Sequence, residues 1–111
     1  MERLVKGDVV VVPFPFSNLA DSKNRPAVVI ATPQGNDVIL CQVTTRAKID
    51  EYSITLDDSD FKEGRLEQPS LAKPQRIVSL DKTIILYKVG RLKDSKTKEL
   101  EDEVVKIIRA N

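Results

Sequence analysis

The chain has 111 residues, 41% of them hydrophobic and 32% charged, with a net charge of +1, no histidine and a single cysteine. Those figures fit one globular domain over residues 1–111. They exclude a disordered chain, an internal disulfide and a zinc site built on His and Cys. The opening "MERLVKGD" has no apolar leader core and no stretch is long enough to span a membrane, so a cytoplasmic protein with no membrane partner is expected.

The elements follow in chain order. "DVVVVPFPF", after Gly7-Asp8, is a run of β-branched residues ended by Pro13 and Pro15, which cannot donate to a central ladder. "SNLADSKN" reads as a polar loop longer than a tight hairpin. "PAVVIAT" makes a second strand, and "PQGND" closes a hairpin into a third, "VILCQVTT". "SITL" is a short strand and "DDSDFKEG" a loop with one helical turn. "SLAKPQRIVSL" and "TIILYKVGRL" supply the remaining strands, with Pro74 confining the first of them to an edge or a bulge. From Asp94 onward the spacing predicts a helix with Leu100, Val104, Ile107 and Ile108 on one stripe and Asp94 or Ser95 as its cap. The whole predicts a mainly β (α+β) fold, a small SH3-like barrel of five to seven strands with a C-terminal amphipathic helix.

Charge is unevenly placed. Between Lys73 and Lys93 there are six basic residues against one acid, and between Asp50 and Asp60 five acids and no base. One segment can therefore face a polyanion while the other is kept away from it, although charge alone favours reading both as solvated faces. Cys41, between Leu40 and Gln42 in an apolar stretch, reads as a small core residue, since no histidine is present to activate it.

"KGDVVVVPFPFSNLADSKNRPAVVIAT", then "VTT", then "LEQPSLAKPQRIVSLDKTIILYKVGRL" and the closing helix resemble, in that order and over nearly the whole chain, the MazF/PemK (Kid-like) toxin endoribonucleases of toxin–antitoxin modules. The resemblance implies an SH3-like barrel, a homodimer, a cognate antitoxin protein as partner, and metal-independent cleavage of single-stranded RNA with no cofactor. It implies Arg25 and Thr44 as the catalytic pair. Such a cut needs only attack of the 2′-hydroxyl on the adjacent phosphorus, two proton movements and stabilisation of the charge on the phosphoryl oxygens. A guanidinium suits the last task, because its planar fork holds two phosphate oxygens and stays charged. On the residues alone, the favoured readings are an Arg25 paired with a nearby acid such as Asp21 and a Thr44 that is a β-former.

The resemblance extends with less specificity to substrate-binding roles for Asp8, Asn24, Thr45, Ser70, Lys73, Gln75, Arg76 and Lys82. Ser70 is equally suited to a turn or cap. Where Kid-like members carry an arginine and, two residues on, an aspartate, this chain has Lys73 and Gln75. Lysine contacts phosphate as a point charge, whereas glutamine takes no proton. A second reading stays open at this stage: the same barrel occurs in gyrase-poisoning toxins and other modules that bind a protein or nucleic acid and cut nothing.

Overall fold

The computed structural model describes residues 3–14, 23–45 and 49–111, so residues 17–22 of the expected polar loop lie outside it, as does Asp21, the alternative partner of Arg25. Seven strands, β1 (Asp8–Phe14), β2 (Lys23–Ala31), β3 (Asp37–Thr44), β4 (Ile54–Leu56), β5 (Phe61–Gly64), β6 (Ser70–Asp81) and β7 (Tyr87–Leu92), are followed by helix α1 (Asp94–Ala110). All pair antiparallel in one sheet of order β4-β6-β3-β2-β1-β7-β5. Its two edge strands, β4 and β5, are joined in sequence by little more than the 3₁₀ turn Asp58–Asp60, so the sheet must curl until its edges approach. That curl gives the mainly β barrel expected from the strand pattern.

Strand alternation sorts the apolar residues between two faces. Val9, Val28, Cys41 and Val43 point into one cluster, where α1 adds Leu100 and Val104. Val10, Val12, Ala27, Val29 and Leu40 point into the other, with Leu4 and Ile85. The cross-strand pairs agree, with Val28 opposite Cys41 and Val29 opposite Leu40.

Several boundaries differ from the sequence reading. β2 begins at Lys23 rather than at Pro26, because Asn24 and Arg25 pair with Pro13 and Val12 of β1. Pro26 is tolerated there because pairing with β3 starts only at Ala27, so its missing N–H faces no partner strand. Pro74 sits in the bulge anticipated for it: β6 pairs with β3 through Ala72–Val43 and resumes at Ile77–Cys41, leaving residues 73–76 out of that ladder. β5 lies where the sequence predicts a loop, and Lys82–Ile84 form a 3₁₀ turn where the sequence predicts a strand beginning at Thr83. The helix cap is Lys93, without a side-chain bond, and Ile108 is 72% exposed rather than part of the buried stripe. Thr97 takes a buried place instead, its hydroxyl donating to the Lys93 carbonyl oxygen at 3.2 Å.

Candidate nucleic-acid interface

The antiparallel register of β2 and β3 sets Ala27 opposite Gln42. Carried two residues further, it puts Arg25 across from Thr44, and directly opposed residues share a sheet face. Arg25 is half-buried and Thr44 buried. Gln42, on the same face, is buried, and its side-chain oxygen accepts a hydrogen bond from Arg76 Nη1 at 3.1 Å. Arg25, Thr44, Gln42 and Arg76 thus gather at one end of the barrel. Two of them bring guanidinium groups, and among the described residues no carboxylate is ion-paired with either. Gln42 was not singled out by the sequence; a glutamine inside an otherwise apolar strand is the signal that marks it.

The alternate residues of the same strand ends open on a cleft of about 270 Å³. Asn24 and Thr45, the neighbours of Arg25 and Thr44, line it together with Ser70, so three expected binding residues come together there. Ser70 Oγ donates to the Gln68 carbonyl oxygen at 2.9 Å, which leaves the hydroxyl oxygen as an acceptor. The apolar wall comes from Val11, Pro26, Leu66 and Val89. Arg65, Glu67, Gln68 and Tyr87 complete the cleft and were not foreseen, because they come from segments far apart in the chain.

Four expected contact residues are engaged elsewhere. Asp8 is completely buried: its Oδ1 meets Arg91 Nε at 2.8 Å and Lys88 Nζ at 3.2 Å, and its Oδ2 accepts from the Val5 amide at 2.8 Å. It ties β1 to β7 and has no surface with which to meet a substrate. Lys73 is buried, its ammonium 3.2 Å from Asp50 Oδ2 and 2.9 Å from Ser53 Oγ. Gln75 Nε2 donates to the same Asp50 oxygen at 3.0 Å. Desolvation would raise the Asp50 pKa, but hydrogen bonds from the Ser53 hydroxyl, the Tyr52 amide, Lys73 and Gln75 outweigh it and hold the carboxyl far below the usual carboxylate range. It is therefore a poor proton acceptor at neutral pH. Lys82 donates to the Gly35 carbonyl oxygen at 3.3 Å, beside the start of β3. Seven residues of strand, about 23 Å at 3.3 Å each, separate that end from Thr44.

These pairs also change the meaning of the charge pattern. Both ends of the acidic segment lie against cations instead of apart from them: Asp50 meets Lys73 and Asp60 meets Lys96, and just beyond the segment Glu63 sits 3.1 Å from Lys88. Burial pushes the Cys41 thiol up to about 12, against a smaller opposing effect from its hydrogen bond to the Lys73 carbonyl, so it is an inert core side chain. No helix of the described residues is long and apolar enough to cross a membrane.

Residues 5–108 match the family described as PemK-like, MazF-like toxin of type II toxin–antitoxin system. The chain belongs to this toxin family. The resemblance carried by "GDVVVV", "NRPAVVI" and "VTT" is thereby established as membership. Among solved structures, the PemK/MazF-like chain superposes on Mycobacterium tuberculosis toxin MazF-mt6 with a TM-score of 0.71 and 16% identity, covering 92% of this chain and 96% of that one. It superposes on MazF from Deinococcus radiodurans with a TM-score of 0.73 and 19% identity, over 94% of each chain. A mycobacterial endoribonuclease in complex with its cognate antitoxin gives a TM-score of 0.76 at 12% identity, with 98% of each chain covered. At such identities the likeness is one of fold. No curated protein matches the chain at a significant level.

Proposed function

We propose that this toxin is a metal-independent endoribonuclease that cuts single-stranded RNA by attack of a 2′-hydroxyl on the adjacent phosphorus, works as a homodimer and is held in check by a cognate antitoxin protein. The observation that carries the reading is the β2–β3 register, whose continuation beyond the Ala27–Gln42 pair brings a guanidinium, Arg25, and a hydroxyl, Thr44, to one sheet face at strand ends that also border a cleft open to solvent. The fold neighbours support it: one bears the name endoribonuclease with its cognate antitoxin, and another is a MazE–MazF complex.

In the cleavage step the 2′-oxygen bonds to phosphorus and the bond to the 5′-oxygen breaks, giving a cyclic phosphate and a 5′-hydroxyl. Arg25 stabilises the charge gathering on the phosphoryl oxygens, Thr44 holds the phosphate or the 2′-oxygen, and Arg76 adds positive potential from the same face. Asp50 is clamped as a weak base and Gln75 takes no proton, so water or the substrate carries the two protons.

The test is incubation of the pure protein with a defined single-stranded RNA in EDTA. Cleavage with 5′-hydroxyl ends is expected. Arg25→Ala should lower the rate by roughly 10²- to 10³-fold while the protein stays folded, and Arg25→Lys should restore little. Activity that vanishes in EDTA and returns with magnesium would overturn the mechanism. The capture of both Lys73 and Gln75 by Asp50 favours, as a second reading, a barrel that binds without cutting; RNA left intact under every ionic condition would establish it.

A further inference from the structure

The Asp50 carboxylate occupies a place built for an anion. Its Oδ1 accepts from the successive backbone amides of Tyr52 and Ser53 and from the Ser53 hydroxyl, each at 2.9 Å. Its Oδ2 accepts from Lys73 Nζ at 3.2 Å and from Gln75 Nε2 at 3.0 Å. Adjacent amides, a hydroxyl, an ammonium and a carboxamide make up a donor set that suits a phosphate. The Lys73 side chain is 3% exposed and that of Asp50 39%, so the carboxylate is the solvent-facing member of the pair. The site also lies on the sheet face of Arg25 and Thr44. Leu71 is directly opposite Thr44, and Lys73, two residues further along β6, returns to the same face. With strands about 4.8 Å apart and residues about 3.3 Å along, the Lys73 and Thr44 backbones are about 8 Å from each other. Arg76, from the bulge that Lys73 opens, reaches Gln42 on that face as well.

We propose that Asp50 is an autoinhibitory phosphate mimic: the chain's own carboxylate fills an anion site formed by Lys73, Gln75 and Ser53, and a backbone phosphate of RNA takes that site when Asp50 swings out. This rests on the reading of the protein as an RNA-acting toxin. It gives Gln75 a role, because a carboxylate at that position would repel an anion held by Lys73, whereas the amide donates to it. It also accounts for a buried ammonium, which is costly without an anion beside it and so keeps the site filled by one occupant or the other. Asp50 is tethered to the site, which favours it over free ions in solution. The phosphate that displaces it must be held nearby too, as is one belonging to a strand already bound at Arg25 and Arg76.

The experiment uses the full protein and a fluorescein-labelled 2′-O-methyl oligoribonucleotide of mixed sequence, which lacks the attacking hydroxyl and so reports binding without cleavage. Affinity is read by anisotropy across a salt series, at a temperature where circular dichroism shows each variant folded. Asp50→Ala should bind about tenfold more tightly than the parent, the scale of one charge-assisted hydrogen bond, with a log–log salt slope steeper by about 0.7 for one added phosphate contact. Asp50→Asn, which keeps the side-chain volume, should shift both in the same direction and serves in its place if Asp50→Ala does not fold. Lys73→Met should leave the parent's slope alone but cancel the gain in the Asp50→Ala background. Loss of a purely structural clamp weakens binding, so equal or weaker binding by the folded Asp50 variants, with the parent still binding, would overturn the inference and leave the RNA reading in place. A gain that survives Lys73→Met would overturn it too, since removal of any negative charge would then explain it. So would inorganic phosphate that raises the melting temperature of Asp50→Ala, but not of the parent, with no change in oligomer affinity: the anion site would then stand away from the RNA path. Binding of no oligomer by parent or variants would bring down the RNA reading itself, and the inference with it. If binding responds as expected but unmodified RNA is never cut, the mimic stands and the nuclease reading falls.

Discussion

A carboxylate with no exposed surface, Asp8, decides how β1 meets β7. Its two oxygens are divided among Arg91, Lys88 and the Val5 amide, and Glu63 reaches the same Lys88 from β5. Removing one member of such a cluster strands the others, so Asp8→Ala should cost about 3 kcal/mol, measured by urea unfolding; Arg91 and Lys88 are partly exposed, which keeps the loss at the low end for a buried pair. An unchanged midpoint would return Asp8 to the list of substrate contacts. Asp50 makes a different prediction. Its pKa is depressed in the folded state, so its stabilising contribution is complete above the unfolded value of about 3.9 and fades as pH falls toward the folded one. Asp50→Asn should therefore melt below the parent at pH 7, with the gap closing as pH drops below about 4. A gap that stays constant down to pH 2.5 would show that the carboxylate charge is not what holds Lys73 and Gln75.

At the scale of elements, α1 gives the clearest contrast between pattern and packing. Leu100 is fully buried against the sheet and Ile108 is mostly in solvent, although both belong to one sequence stripe. Leu100→Ala should cost about 2–5 kcal/mol and Ile108→Ser less than about 0.5, a difference that paired thermal melts resolve. Apolar runs interrupted by prolines announced β1, β2 and β3, and Pro74 announced the bulge in β6, because these signals are local. β5 gave no such signal: "FKEG" holds one apolar residue, and it is strand because Gly64 and Gly90 let the β5 and β7 backbones touch. A Cβ on Gly64, at φ +69, would lie 2.1 Å from the Val89 carbonyl oxygen. The candidate site divides in the same way. Arg25 and Thr44 were proposed through the family's strand–loop–strand order, and their placement at the adjoining ends of β2 and β3 follows from that order. The capture of Lys73 by an aspartate 23 residues earlier, and the meeting of Arg65 with Tyr87 in one cleft, depend on tertiary pairing and leave no trace in local sequence.

For the whole molecule the question is how much of its positive charge an RNA can feel. The basic segment from Lys73 to Lys93 holds six cations, and if all six met phosphates the binding constant would fall with a log–log salt slope of about −4, at roughly −0.7 per phosphate on a single strand. The fold withdraws most of them. Lys73 is taken by Asp50, Lys88 and Arg91 by Asp8 and Glu63, and Lys82 stands at the far end of β3. Of the other two, Lys93 stands at the cap of α1, and what remains near the site is Arg76, joined by Arg25 from β2 and Arg65 from the cleft. Three phosphate contacts give a slope of about −2. Titrations of a 2′-O-methyl oligomer between low and moderate salt should show it, with Arg25→Ala, Arg65→Ala and Arg76→Ala each making the slope shallower by about 0.7 and Lys82→Ala leaving it alone. A slope near −4 that weakens on Lys82→Ala would mean that RNA runs along the basic segment after all, across the barrel instead of around the ends of β2 and β3.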